Sequence, residues 1–183
     1  MAQVYIVHGY TANADKHWFP WLEEQLTTIG ISCQRLNMPD SENPSLDRWL
    51  AHLAENVEVN ENTIFVGHSL GCIAILNFLA KQQEQIKGAV FVSGFYQPLP
   101  NLPERSAFTN YYAILPSPPV FPAYVLSALD DNIVAHKHSD ALAVHLQADY
   151  VRLNKGGHFL DREGATELPI VLELVKKLMN REG

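Results

Sequence analysis

Ser69, His158 and the adjacent Asp130 and Asp131 are the residues of this chain best suited to chemistry. A serine hydroxyl is a poor nucleophile until a base accepts its proton, and a carboxylate must orient that base. Ser69 lies in a Gly-His-Ser-Leu-Gly sequence at 67–71, after an apolar β-branched run and before a segment with helical apolar spacing. The Gly-x-Ser-x-Gly motif requires this context of strand, sharp turn and helix. The pattern predicts a nucleophilic serine, and the alternative is a glycine-rich turn with an incidental serine.

The base and the acid are predicted in loops that follow two later strands. His158 comes directly after Gly156 and Gly157, which allow the backbone to turn the imidazole back toward the serine. The aspartates follow the preceding strand. Since successive residues leaving a strand point in different directions, only one of Asp130 and Asp131 can face His158. A buried structural histidine is the alternative for His158.

Further residues are predicted to surround the reacting group. The backbone N–H groups of Tyr10, in the loop after the first strand, and of Leu70 are expected to form an oxyanion hole. A plain turn is the alternative for the first of these loops. Trp18, Phe95 and Phe159 are predicted to bind substrate, because their bulky side chains would crowd a small site.

Composition places the chain among ordinary globular proteins. Its 183 residues are 47% hydrophobic and 18% charged, which predicts a single domain over residues 1–183. The net charge is −7 and the lysines and arginines are scattered, so no nucleic-acid partner is expected. The chain starts with a strand-like run and has no apolar run of membrane-spanning length. We therefore expect a cytoplasmic protein that does not associate with membranes.

Neither a disulfide nor a metal site is predicted. Cys33 and Cys72 fall in a predicted strand and a predicted helix, where they fit small buried hydrophobic residues of a reducing compartment. His136 and His138 form a His-x-His pair, but no third ligand stands at a suitable spacing. We expect no metal and no other cofactor.

Alternating strand and helix patterns must position the chemical groups. They predict an α/β fold with a doubly wound, mostly parallel six-stranded sheet and helices on both faces. In such a sheet the carboxyl ends of the strands share one edge, where ligands bind. Strands are predicted at 3–7, 31–36, 63–66, 88–92, 124–128 and 150–153, and helices at 17–29, 45–57, 70–83, 138–146 and 168–179.

Residues 94–122 depart from this alternation. Prolines and aromatic residues are interleaved along the segment, which follows the fourth strand at the expected ligand edge. Loops of this length within a compact domain are usually functional. The segment is predicted to form a small cap over Ser69, and the alternative is an inert surface excursion.

Several short motifs, taken together, resemble one family over nearly the whole chain. They are His17-Trp18-Phe19-Pro20-Trp21-Leu22, Leu36-Asn37-Met38-Pro39-Asp40, Gly67-His68-Ser69-Leu70-Gly71, Val92-Ser93-Gly94-Phe95, Asp130-Asp131 and Gly157-His158-Phe159. The chain resembles the small serine hydrolases of the α/β-hydrolase superfamily, which include bacterial YdeN-type proteins and the retinoblastoma-binding serine hydrolase of animals.

The resemblance implies a compact α/β-hydrolase fold without a large lid, with Ser69 as nucleophile, His158 as base and Asp131 as acid. The superfamily pattern places the acid three residues before an apolar anchor, which pairs Asp131 with Val134. Asp130 is then expected to be a turn-former that caps local N–H groups. The family often has proline after that valine, where this chain has alanine.

The predicted function is hydrolysis of a small carboxylic ester through an acyl-enzyme, with thioesters and small amides as further candidates. The alternative is a protein-interaction module that keeps the hydrolase scaffold with little or no turnover. Trp18, Trp21 and the tyrosines of the cap segment would then form a docking patch. The complete set of nucleophile, base, acid and oxyanion donors favours the enzyme. The sequence identifies no protein partner.

Overall fold

Buried side chains, most of them apolar, occupy both sides of the four central strands, as a sheet covered on two faces requires. In this computed structural model, which describes residues 1–181, six parallel strands form one sheet in the order β2-β1-β3-β4-β5-β6. The predicted doubly wound α/β sheet is confirmed. Residues 182 and 183 of the predicted domain lie outside the described part. The strands are β1 (Gln3–Val7), β2 (Ser32–Leu36), β3 (Thr63–His68), β4 (Gly88–Val92), β5 (Ala123–Ala128) and β6 (Asp149–Leu153).

Within residues 1–181, six α-helices cover the two faces of the sheet. They are α1 (Phe19–Thr28), α2 (Leu46–Asn56), α3 (Leu70–Gln82), α4 (Ser106–Tyr112), α5 (His136–Leu146) and α6 (Pro169–Met179). One core lies under α1 and α6 and the other under α2 to α5. Adjacent strand residues divide between the cores, since Ile64 packs in the first and Phe65 in the second. No helix of the described residues is long and apolar enough to cross a bilayer.

The sheet order changes direction between β1 and β3, and this is where the functional edge opens. Val7 at the end of β1 pairs with Gly67 in β3. The chain leaving β1 goes to α1 on one face, whereas the chain leaving β3 goes to α3 on the other. Because the two loops diverge, a crevice forms between them at the carboxyl ends of the strands.

The turn from β3 to α3 depends on two glycines. A Cβ atom on Gly71 would collide with the carbonyl oxygen of Val7 and lie 2.7 Å from that of His8. A Cβ atom on Gly67 would lie 3.0 Å from the Cα atom of Cys72. Both glycines of the motif are therefore required by space, and the cause is the contact of α3 with β1 as well as the turn itself.

Some element boundaries differ from the sequence prediction. The helix predicted from residue 17 begins at Phe19, because His17 has a φ of 58° that an α-helix does not accept. The helix predicted from residue 138 begins earlier, at His136. The short helix α4 was missed, since its seven residues include Thr109 and Asn110 and show no clear amphipathic stripe. Both cysteines are free thiols.

Segment 94–122 contributes to the cavity next to Ser69. It contains a 3₁₀ turn at Pro103–Arg105 and α4, which packs on α3 through a hydrogen bond from Asn77 Nδ2 to the carbonyl oxygen of Phe108 (2.9 Å). From this segment Asn101 and Leu102 reach the cavity next to Ser69. The segment therefore forms part of the wall of the site, and its expected role as a cap over Ser69 stays a prediction.

The contact between α3 and β1 can be tested with Gly71→Ala. Alanine is better than glycine in a helix by about 1 kcal/mol, so an alanine with room for its methyl group would stabilise the protein. Here the methyl group meets backbone atoms, and we expect the free energy of unfolding to fall by about 1–3 kcal/mol. Urea denaturation measures the change. Ala51→Gly, at an exposed position of α2, is the control, because it measures the difference between alanine and glycine in a helix where no steric contact is involved. An unchanged or raised stability of Gly71→Ala would contradict the proposed contact.

Candidate active site

Ser69 stands at the apex of the turn between β3 and α3 with a strained backbone. Its φ of 53° and ψ of −120° are unusual for a residue with a side chain, and such conformations cost about 1–3 kcal/mol. The Ser69 N–H donates to the carbonyl oxygen of Val92 in β4 (2.9 Å), which helps to hold this conformation. The residue is 9% exposed and lines a cavity at the carboxyl edge of the sheet.

His158 lines the same cavity and is paired with a buried aspartate. His158 Nδ1 lies 2.8 Å from Asp131 Oδ2, and both residues are buried. Since an ionised carboxylate only accepts hydrogen bonds, the imidazole proton lies on Nδ1. This leaves the lone pair on Nε2, the nitrogen that can accept a proton.

The Asp131 carboxylate is held by several donors besides His158. Ser93 Oγ donates to Oδ2 (2.9 Å), and the backbone N–H groups of Ile133 and Val134 donate to Oδ1 (2.9 Å each). Ser93 has a φ of 49°, so a second strained serine supports the site. These hydrogen bonds fix the orientation of the carboxylate toward the imidazole.

Asp130 has a different role from the one expected. Its Oδ1 accepts the N–H groups of Gly156 and Gly157 (2.9 Å each), which belong to the loop after β6. The expectation that Asp130 caps local N–H groups is therefore wrong, and it is Asp131 that caps its own loop. Asp130 joins the loop after β5 to the loop that carries His158, so the adjacent aspartates fix the histidine through its backbone and its ring.

The backbone of His158 is fixed from two further directions. Its N–H donates to Glu163 Oε2 (2.9 Å), and His68 Nε2 lies 2.8 Å from its carbonyl oxygen. Gly157 has a φ of 55°, and a Cβ atom there would lie 2.7 Å from the Glu163 carboxylate. The glycine before the histidine is therefore required by both backbone conformation and space.

The loop after β1 passes close to Ser69 and to the start of α3. A Cβ atom on Gly9 would lie 3.0 Å from Ser69 Cβ and 3.4 Å from the Leu70 nitrogen. In residues 1–181, the N–H groups of Tyr10 and Leu70 donate to no protein acceptor. Leu70 is also the first residue of α3, where the helix dipole favours negative charge.

The cavity at this edge has a volume of about 430 Å³. Polar and charged side chains contribute much of its wall. It is lined by Tyr10, Thr11, Ala12, Lys16, His17, Ser69, Asn101, Leu102, Asn132, Ile133, His158, Leu160, Asp161 and Arg162. Residues from the loops after five different strands therefore line this cavity.

The three aromatic residues expected to bind substrate do not line this cavity. Trp18, Phe95 and Phe159 are fully or almost fully buried in the core. Trp18 packs edge-on against His68, with ring centroids 6.0 Å apart, and Phe159 packs over Gly156. Trp18 and Phe159 thus pack behind residues of the site, and the expectation of substrate contact does not hold for any of the three in this cavity. The burial of Trp18 also removes it from any docking patch.

Three other histidines lie buried or half-buried around the site, and all have a lowered pKa. Burial lowers the pKa of His8 to about 4 and that of His68 well below its ordinary value. Burial also lowers the pKa of His17, although Asp161 opposes the shift. These imidazoles are therefore neutral at pH 7 and act as hydrogen-bonding groups.

The His-x-His pair lies away from the cavity, at the start of α5. There His136 Nδ1 contacts Asp140 Oδ2 at 3.2 Å. In the part of the chain that the structure describes, no group of three histidine, cysteine, aspartate or glutamate residues is placed to hold a metal ion.

A family model described as serine hydrolase matches residues 4–177. The chain belongs to the serine hydrolase family. This serine hydrolase is 40% identical over 187 aligned positions to the Bacillus subtilis hydrolase YdeN, with 98% of this chain and 97% of the relative covered. It is 25% identical to the serine hydrolase RBBP9 of Rattus norvegicus, with 88% and 86% of the two chains covered.

Solved structures agree with the family assignment. The crystal structure of the ydeN gene product from B. subtilis matches with a TM-score of 0.92 at 38% identity, over 99% of this chain and 100% of that chain. Est1E from Butyrivibrio proteoclasticus matches with a TM-score of 0.73 at 18% identity, over 97% and 86% of the two chains, and shows the shared fold alone.

Sequence reasoning missed several residues of this serine hydrolase that hold or line the site. Ser93 belongs to a motif that carried the family resemblance, so a signal for it was present. Glu163 belongs to no such motif, although it bonds His158 within a single loop. His17 does belong to one of these motifs, but its role depends on a contact between loops that are distant in sequence. The polar walls of the cavity were missed for the same reason.

The role of Ser93 can be tested with Ser93→Ala and Ser93→Gly. Both variants lose the hydrogen bond to Asp131, and we expect hydrolytic turnover to fall about tenfold, in line with one hydrogen bond to a charged group. Glycine also relieves the positive φ, so Ser93→Gly should be more stable than Ser93→Ala by about 1 kcal/mol. Ester kinetics and thermal denaturation measure the two effects. Ser127→Ala removes a buried hydroxyl that bonds Tyr150 instead, and should keep turnover. Full turnover in both Ser93 variants would contradict the positioning role.

Proposed function

We propose that this serine hydrolase cleaves small carboxylic esters through an acyl-enzyme, with Ser69 as nucleophile, His158 as base and Asp131 as the orienting acid. The observation that carries the proposal is the 2.8 Å contact between Asp131 Oδ2 and His158 Nδ1, with His158 and Ser69 on one cavity. Thioesters and small amides follow the same chemistry and are further candidates.

In the first half-reaction, Ser69 Oγ attacks the ester carbonyl carbon while His158 Nε2 takes the hydroxyl proton. The tetrahedral intermediate then collapses, the bond from carbon to the alcohol oxygen breaks, and His158 gives its proton to that oxygen. The alcohol leaves and the acyl group stays on Ser69. Asp131 keeps the imidazole in the Nδ1–H form and stabilises its positive charge throughout.

In the second half-reaction, water attacks the acyl-enzyme while His158 accepts one of its protons. The bond to Ser69 Oγ breaks, the proton returns to that oxygen, and the carboxylic acid leaves. The negative oxygen formed in each half-reaction would be bound by the N–H groups of Tyr10 and Leu70, which are supplied by two different loops. The two half-reactions need neither a metal nor a cofactor.

The nucleophile can be tested with a fluorophosphonate probe on the full-length protein. An activated serine should be labelled once, and the modified peptide should contain Ser69. Ser69→Ala should not be labelled, and its turnover should fall by about 10⁶. Mass spectrometry and ester kinetics measure the two effects. The proposal fails if Ser69→Ala is labelled at the rate of the parent protein.

The acid can be tested by comparing two adjacent substitutions. Asp131→Asn places an amide opposite the imidazole and favours the wrong tautomer, so kcat should fall by up to about 10⁴. In Asp130→Asn the amide oxygen can still accept the N–H groups of Gly156 and Gly157, and activity should stay within about tenfold. A near-silent Asp131→Asn beside a strongly impaired Asp130→Asn would reverse the assignment. Circular dichroism of both variants checks that each is folded.

A further inference from the structure

The cavity next to Ser69 has two chemically different walls. Asn101, Leu102, Asn132 and Ile133 form one wall, which is fastened by a hydrogen bond from Asn101 Nδ2 to the carbonyl oxygen of Ile133 (2.8 Å). This wall is uncharged. The other wall consists of residues 16–17 and 160–162, and it contains the charged side chains that line the cavity.

His17 is the fixed part of the charged wall. Its Nδ1 accepts the backbone N–H of Asp161 at 3.0 Å, so the neutral ring carries its proton on Nε2. The ring packs edge-on against Phe19 and His68, with centroids 5.3 and 5.4 Å apart, and its side chain is 9% exposed. The backbone φ of 58° adds strain that this packing must hold. The cavity therefore has a rigid, neutral hydrogen-bond donor beside its nucleophile.

Two cationic side chains lie near His17. The one acidic side chain of this wall, Asp161, already has hydrogen-bonding and ionic partners. Lys16 precedes His17, and Arg162 follows the aspartate that fixes it. Asp161 accepts the Arg162 N–H at Oδ1 (2.7 Å) and contacts Lys16 Nζ at Oδ2 (3.9 Å). In residues 1–181, no carboxylate lies within ion-pair distance of the Arg162 guanidinium. This wall carries more positive than negative charge, although the protein as a whole has a net charge of −7. Such a wall attracts anions to the cavity.

We infer that Lys16, His17 and Arg162 form a carboxylate subsite, so that the substrate is an ester that also carries a carboxylate. A guanidinium binds a carboxylate through two parallel hydrogen bonds, and the His17 Nε2–H can donate to an oxygen of the same group. The scissile carbonyl then lies toward Ser69 and the anion toward the charged wall. This inference rests on the proposed function and narrows its substrate class.

The experiment compares esters that differ only in charge. Monomethyl glutarate has its carboxylate on the acyl side, and methyl glutaramate is its neutral amide counterpart. The acetate ester of γ-hydroxybutyrate has the carboxylate on the alcohol side, and the matching amide is again neutral. We expect kcat/KM to favour the anionic member of at least one pair by about tenfold or more, the size of one charge-assisted hydrogen bond. The favoured pair shows which side of the ester holds the anion.

Variants link the preference to the charged wall. Arg162 is exposed, so Arg162→Gln should fold, and it should reduce the anionic preference at least about fivefold. Adding Lys16→Gln should abolish the preference, and added salt should weaken it in the parent protein. Arg152→Gln removes an arginine on β6 that pairs with Asp140, and it should leave the preference and the activity unchanged. Equal use of the anionic and neutral esters, or a full preference in Arg162→Gln, would overturn the inference.

A binding measurement separates this inference from the proposed function. Free glutarate should slow fluorophosphonate labelling of Ser69 at concentrations where neutral glutaramide has no effect. Labelling without protection by glutarate, or hydrolysis without charge preference, overturns the carboxylate subsite alone. Absence of both labelling and hydrolysis overturns the proposed function, and the subsite with it.

Discussion

The contact between the first turn of α3 and the carboxyl end of β1 is the constraint on which the rest of the site depends. Because Gly71 has no side chain, the helix lies directly on the backbone of Val7 and His8. Gly9 then passes close to Ser69 and Leu70, so the loop after β1 reaches the nucleophile. The absence of a side chain at Gly71 thereby allows Ser69 and the two N–H groups proposed to bind the oxyanion to lie close together.

The other side of the site depends on hydrogen bonds between loops. Asp131 orients the ring of His158, while Asp130 and Glu163 hold the backbone before and after it. His68, one residue before the nucleophile, bonds the carbonyl oxygen of His158. Proton transfer requires placement within a few tenths of an ångström, and these bonds supply it from several directions at once.

The sequence was sufficient to predict the features that depend on local patterns of residues. Periodicity was sufficient for the strands, most of the helices and the turn at Ser69, because each depends on neighbouring residues. It was not sufficient for Trp18, whose bulky side chain suggested a substrate contact and which lies buried behind His68. Asp130 was assigned to its own loop and instead bonds Gly156 and Gly157. Side-chain direction and contacts between distant loops depend on the assembled fold, which no short window of sequence contains.

The buried histidines also couple the stability of this protein to acidity. His8 and His68 bond the backbone as neutral rings, and burial keeps the pKa of His8 at about 4 and that of His68 well below its ordinary value. In the unfolded chain both would titrate near pH 6.5. Below that pH the unfolded state takes up protons that the folded state does not. The free energy of unfolding is therefore not reduced by these histidines above about pH 6.5, and it declines as the pH falls toward 4. The same rings that brace the site therefore make the fold sensitive to acid, because each buried neutral imidazole lowers the free energy of unfolding once the unfolded chain can bind its proton.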